Sequence, residues 1–105
     1  MQPGRIALFA GVIYAMCAVP AHAATITVVI DKLVYSLPEV TAKVGDTIEW
    51  DNRDILQHTA TAKDGSWNVL LPPHKKGSIV VKKAGTFDYF CKFHPNMKAK
   101  LTVTP

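Results

Sequence analysis

Thr86-Phe87-Asp88-Tyr89-Phe90-Cys91, then Lys92-Phe93-His94-Pro95-Asn96-Met97, then Lys98-Ala99-Lys100-Leu101-Thr102-Val103, read as strand, loop and strand. Side chains alternate across a strand, so Phe87, Tyr89 and Cys91 share one face and Thr86 and Asp88 take the other. The apolar face is the one expected to be buried. After the loop the same parity resumes with Ala99, Leu101 and Val103 facing the core. Cys91 is therefore expected to point inward as the last core residue before the loop.

Outward from this pair, the chain continues as short strands separated by turns. Thr25–Ile30 is rich in β-branched residues, and Val40–Val44 follows Pro38 and leads into the Gly45-Asp46 turn. Thr47–Asp51 alternates, placing Ile48 and Trp50 on one face. Asn52–Gln57 reads as a loop and His58–Thr61 as a short strand. Lys63-Asp64-Gly65 is a turn signal, Trp67–Leu71 a further strand, and Pro72-Pro73 stops it. Ser78–Val81 completes the set, with Ala84-Gly85 before the pair described first. No window beyond the N-terminal segment has the period of an amphipathic helix. Eight short strands predict an all-β fold, an antiparallel sandwich or small barrel.

The N-terminus follows different rules. Arg5 precedes an apolar run from Ile6 to Val19, and Pro20 introduces Ala21-His22-Ala23, an A-x-A cleavage pattern. Residues 1–23 read as a secretory signal peptide, with a run too short to span a membrane as a helix. Two alternatives are an uncleaved interfacial anchor and lipidation at Cys17; Met16 stands where a lipid-attachment signal wants a small residue. Cleavage leaves residues 24–105 as one domain in an oxidising export compartment, the periplasm, with no membrane association afterwards. Such a domain has room for one modest core.

Loss of Arg5 leaves 11 basic residues against 8 acidic, a net charge of +3. The lysines occur singly or in pairs (Lys75-Lys76, Lys82-Lys83), which suits a solvated surface with a mild preference for an acidic protein partner. No basic-and-aromatic platform points to nucleic acid. Removing Cys17 leaves Cys91 without a disulfide partner, and a lone thiol in that compartment invites oxidation unless something occupies it. Metal ligation answers the problem. Cys91, His94 three residues on, Met97 three beyond that, and an upstream His58 where a strand begins supply a thiolate, two imidazoles and a thioether. This set marks a type 1 (blue) copper electron-transfer centre. Zinc is the nearest rival, but a thioether is a poor zinc ligand. His74, after two prolines, reads as an exposed loop residue, Trp50 and Tyr89 as core aromatics, and Trp67 as either core or surface contact.

Trp50-Asp51-Asn52-Arg53 followed by His58, then Ala84-Gly85-Thr86-Phe87-Asp88-Tyr89-Phe90-Cys91 and its C-x₂-H-x₂-M loop, resemble the cupredoxins, most closely the short-loop amicyanin branch. The resemblance implies a Greek-key β-sandwich of about eight strands. It implies His58, Cys91 and His94 as strong equatorial ligands of one copper and Met97 as the weak axial one. Three positions depart from the pattern. Thr59 stands where Asn usually braces the ligand loops, and Gln57 stands where the branch has Pro. The stretch from Lys63 to Lys76 aligns poorly.

The function these features imply is a one-electron carrier cycling between Cu(II) and Cu(I), and the resemblance implies that electrons pass at the edge of His94. Its partners would be redox proteins such as a periplasmic dehydrogenase or a c-type cytochrome, docking near His94 and Pro95, with Lys92 and Lys98 orienting them. A monomer is expected. A copper sequestration or delivery protein is the alternative, although Met97 is the one methionine left after cleavage. A metal-free adhesive sandwich is a further rival. An enzyme is not expected: the ligand set leaves no open coordination position, and no nucleophile–base pair stands out.

Overall fold

The computed structural model describes residues 22–105. The signal-peptide reading and Cys17 lie outside these residues, apart from His22 and Ala23. Nine strands run in order: β1 (Thr25–Asp31), β2 (Val34–Tyr35), β3 (Glu39–Lys43), β4 (Thr47–Asn52), β5 (His58–Ala62), β6 (Asn68–Leu71), β7 (Lys76–Val80), β8 (Gly85–Phe90) and β9 (Lys98–Thr104). They form two sheets, β2-β1-β4-β7 and β3-β9-β8-β5-β6. This is the expected all-β sandwich, with no helix among the described residues.

Two features differ from the sequence expectation. The arrangement is not wholly antiparallel: β1 pairs parallel with β4, from Thr25 opposite Thr47 to Ile30 opposite Asn52, and β3 pairs parallel with β9. Alternation sets which face is buried and carries no information about strand direction, so a pattern reading leaves these pairings open. The second difference is β2, a two-residue strand hairpinned to β1 through Lys32-Leu33. Both turn residues have positive φ, 52° and 63°, as a two-residue hairpin turn of the I′ type requires. Asn or Gly ordinarily announces such a turn. Here it is held from a distance: the Asp54 carboxylate accepts the backbone N–H of Lys32 (2.7 Å) and of Leu33 (3.0 Å).

Between the sheets lie Val28, Ile30, Ile48, Trp50, Leu71, Tyr89, Cys91, Leu101 and Val103, all buried. The parity argument holds on both terminal strands. Tyr89, Cys91, Ala99, Leu101 and Val103 are buried and Phe87 half-buried, while Thr86 and Asp88 are exposed. In β5, which lies between β8 and β6 in its sheet, every residue is buried. The core thus fixes the end of β8 and the start of β5 side by side, at one pole of the sandwich.

Candidate metal centre

β5 is paired with β8 in antiparallel register, Thr61 opposite Phe90. That register brings the first residue of β5 close to the residue that follows β8. His58 Nδ1 lies 3.7 Å from Cys91 Sγ, and His94 Nδ1 lies 3.7 Å from the same sulfur. The three donor atoms all fall within 4.8 Å of one another, and the two imidazole rings are 4.9 Å apart, centre to centre. His58 and Cys91 are fully buried and His94 is half-buried. Met97 is buried beside them on the same loop, 4 % exposed.

The loop is short enough to be closed by its own backbone. The His94 N–H donates to the Cys91 carbonyl (3.3 Å), the Met97 N–H to the His94 carbonyl (2.8 Å), and the Cys91 N–H to the Met97 carbonyl (3.1 Å). Three hydrogen bonds over seven residues hold Cys91, His94 and Met97 in one compact turn, flanked by rigid strands.

His58 is oriented from behind. Its Nε2 lies 2.7 Å from Asp54 Oδ2. A carboxylate only accepts, so the ring proton sits on Nε2 and the lone pair of Nδ1 faces Cys91. Burial works to raise the Asp54 carboxyl, but the Leu33 N–H, the His58 ring and the Lys32 N–H outweigh it and hold the group below its ordinary value. Asn52, buried at the end of β4, anchors the loop that carries Asp54. Its Oδ1 accepts the Asp54 N–H (2.9 Å), and its amide nitrogen lies within reach of the Leu56 (2.9 Å) and Leu71 (3.0 Å) carbonyls. Asp54 is the residue that sequence reasoning missed. Its one signal was a carboxylate four positions before a candidate ligand histidine.

Thr59 braces the sulfur side. Its backbone N–H points to Cys91 Sγ at 3.4 Å, and its hydroxyl oxygen accepts the Lys92 N–H at 2.9 Å. Thr61 Oγ1 lies 2.9 Å from Thr59 Oγ1 and 2.6 Å from Asn68 Oδ1. Each hydroxyl has one proton. Thr61 therefore donates to Asn68 and Thr59 donates to Thr61, so the chain runs Lys92 to Thr59 to Thr61 to Asn68. The hydroxyl thus ties the loop after Cys91 to β5 and, through Thr61, to the start of β6. It gives more bracing than the substitution of Thr for Asn suggests on its own.

The donor set fits a metal. Bonds of ~2.3 Å to thiolate and ~2.0 Å to imidazole, opening at a trigonal ~120°, put sulfur and nitrogen ~3.7 Å apart. Both Sγ–Nδ1 separations have that value. His74, by contrast, is exposed with positive φ and takes no part.

Comparison with known proteins agrees with this geometry. The family described as "Cupredoxin-like domain" matches residues 4–103. Amicyanin of Paracoccus versutus is 35 % identical over 91 residues, 81 % of this chain and 67 % of its own length. Amicyanin-alpha of Methylorubrum extorquens is 31 % identical over 103 residues, 92 % of this chain and 85 % of its own. A third relative, amicyanin of Paracoccus denitrificans, is 34 % identical, and the chain spans 64 % of its length. The crystal structure of amicyanin from P. versutus superposes with a TM-score of 0.66 at 36 % identity, covering 81 % of this chain and 84 % of that one. An amicyanin variant solved in its Cu(I) form superposes with a TM-score of 0.65 at 36 % identity, covering 80 % and 85 %. This chain belongs to the cupredoxin-like family, and the relatives it matches there are amicyanins.

Proposed function

We propose that the protein is a periplasmic one-electron carrier in which Cys91, His58, His94 and Met97 would hold one copper. The observation that carries this reading is the pair of equal 3.7 Å Sγ–Nδ1 separations at a buried cysteine. A thiolate with two imidazoles suits both copper oxidation states, and copper bound there supplies reversible one-electron exchange. The chain's own part is to keep the donors fixed. Asp54 holds the tautomer of His58, Thr59 holds the loop after Cys91, and the closed turn holds His94, so little has to move when charge changes.

Electrons leave and enter where the site comes nearest to solvent. His58 is sealed, whereas His94 is half-buried and shares a surface depression with Leu33, Phe93, Pro95, Asn96 and Met97. Phe93 is 53 % and Leu33 43 % exposed. An apolar face of this kind lets a partner approach closely, and the exposed Lys92 and Lys98 at its rim favour an acidic one. Redox encounters are small and brief because turnover requires release. The partners of this reading are a dehydrogenase or a c-type cytochrome of the same compartment, and the carrier works as a monomer without catalysing a reaction of its own. Export through a signal peptide cleaved after Ala23 completes it. Copper sequestration without redox cycling stands as the second reading, and no additional methionine or histidine cluster among the described residues favours it.

Substitution tests the ligand assignment. Cys91→Ser is expected to abolish the thiolate-to-copper absorption, and His58→Gly to lose it until exogenous imidazole restores it. An unchanged blue band in Cys91→Ser would refute the assignment.

A further inference from the structure

Trp67 joins the surface to the aromatic core. It precedes β6 at the end of the β5–β6 hairpin remote from His58, since His58 pairs with Leu71 and Thr61 with Asn68. It is half-buried, and its ring lines an open cavity of about 260 Å³ with Ser66, Ile79, Val81 and Phe87. Its other side is stacked into the protein. Trp67 lies 5.4 Å from Trp50 and 5.2 Å from Tyr89, Trp50 lies 5.5 Å from Tyr89, and Tyr89 lies 5.0 Å from Tyr35, centre to centre.

The stack ends on the site. Tyr35 O–H donates to the Thr59 carbonyl at 2.6 Å, and the N–H of the same Thr59 points to Cys91 Sγ at 3.4 Å. One residue thus joins the phenol to the sulfur. Within the stack, Trp50 Nε1–H donates to the Tyr89 oxygen at 3.3 Å. A continuous series of touching rings and hydrogen bonds runs from a solvent-facing indole at one pole to the ligand thiolate at the other.

We propose that Trp67, Trp50, Tyr89 and Tyr35, linked through Thr59 to Cys91, form a second electron route that repairs an oxidised Trp67 at the expense of the reduced metal centre. The proposal rests on the copper reading above. A one-electron radical oxidant, of the class of azidyl or carbonate radical, removes one electron from the Trp67 indole and becomes its anion. One electron then returns along the stack from Cu(I) held at Cys91, which becomes Cu(II), and the indole is restored. Any proton the oxidised indole releases to the open cavity is taken back from solvent. No bond within the protein is broken.

The two residue types divide the work. The indoles carry the hole. The phenols keep their protons: Tyr35 donates only to a backbone carbonyl, which is no base, and burial above all pushes its pKa up. Burial likewise pushes Tyr89 up to about 12, against the Trp50 hydrogen bond. They therefore bridge the indoles to Thr59. The ordinary redox partners of a copper carrier are too weak as oxidants to reach an indole. The route is silent during turnover and engaged by stronger, damaging oxidants.

Pulse radiolysis of the copper-loaded protein with azidyl radical tests this. In the Cu(I) form, the tryptophanyl absorption is expected to decay in a phase independent of protein concentration, matched by growth of the blue band. The Cu(II) form is expected to lack that phase. Trp67→Phe keeps a ring in the stack and is expected to lose the phase while exchanging electrons normally at His94. Tyr35→Phe is expected to form the radical and slow its decay, with the thermal midpoint recording any structural cost separately. Equal decay in the Cu(I) and Cu(II) forms, or an undiminished phase in Trp67→Phe, would overturn the proposal. A protein that never turns blue on loading would instead overturn the copper reading.

Discussion

Asp54 accepts the ring proton of His58 at 2.7 Å with one carboxylate oxygen and, with both oxygens, closes the strained Lys32-Leu33 turn. One side chain thereby sets the tautomer of His58, a ligand of the proposed copper site, and holds the hairpin whose Leu33 lines the depression beside His94. The two roles are inseparable in the fold, because the loop carrying Asp54 is pinned to β4 and β6 by Asn52.

Asp54→Ala is therefore expected to weaken copper binding by about 10- to 100-fold, the usual cost of losing the partner of a ligand histidine. It also leaves two turn amides without their acceptor. The measurement is a chelator competition for Cu(I), alongside thermal unfolding of the copper-free protein. Loss of stability without loss of affinity would show that Asp54 serves the turn alone.

Thr59→Val keeps the shape of the side chain and removes the hydroxyl. The Lys92 N–H then loses its acceptor at a partly buried position, a cost of about 1–3 kcal/mol. Thr59→Ser, which keeps the hydroxyl, is expected to lie closer to the parent. Denaturant unfolding of the copper-free forms checks the order, and the blue-band position of the loaded forms reports whether the loop after Cys91 has relaxed.

Much of this architecture could be read from residue order, and the omissions share a cause. Phe87, Tyr89, Cys91, Ala99, Leu101 and Val103 declare their faces because alternation is local. The C-x₂-H-x₂-M loop is legible because its donors are near neighbours in sequence. Strand β2 was not: its turn lacks Gly and Asn and depends on Asp54, some twenty residues away. Asp54 itself reads as one more charged residue of the Asn52–Gln57 loop. The same holds for the Thr59–Thr61–Asn68 chain, which exists only once β5 and β6 are paired. Trp67 could be read as core or surface, and the structure makes it both. Contacts that depend on register or on a distant partner leave little local signature.

Gly77 marks a place where the two sheet edges nearly touch. A Cβ there would come within 2.6 Å of Val69 Cγ1 and 2.9 Å of Leu71 Cδ2. Leu71 is fully buried and opposite His58. Gly77→Ala is expected to cost about 1–3 kcal/mol as an overpacking substitution, read as a lower denaturation midpoint. Gly65→Ala, with open space around its Cβ, isolates the cost of positive φ alone.

Asp46 links acid stability to Ala24, the residue before β1. One of its oxygens accepts the Ala24 N–H and the other the Lys43 N–H, both at 2.8 Å. The Ala24 and then the Lys43 hydrogen bonds lower its carboxyl, overcoming the opposite effect of burial. A lowered native value means that its contribution is complete above the ordinary carboxylate range, near pH ~3.9, and fades as pH falls through the native value. Asp46→Asn is expected to lower stability at neutral pH and to flatten its decline in acid. Cleavage after Ala23 would turn the Ala24 nitrogen into an α-ammonium group facing this carboxylate. The 24–105 chain is thus expected to exceed an Ala23-extended chain in thermal midpoint at pH 7, with the gap closing in acid.

The most direct test of the central claim is to load residues 24–105 with Cu(II), record visible and electron paramagnetic resonance spectra, and cycle the protein with ascorbate and ferricyanide. The account predicts an intense blue thiolate-to-copper band with narrow copper hyperfine splitting, bleached and restored reversibly at one copper per chain. A colourless protein that binds Cu(I) tightly and does not cycle would contradict it.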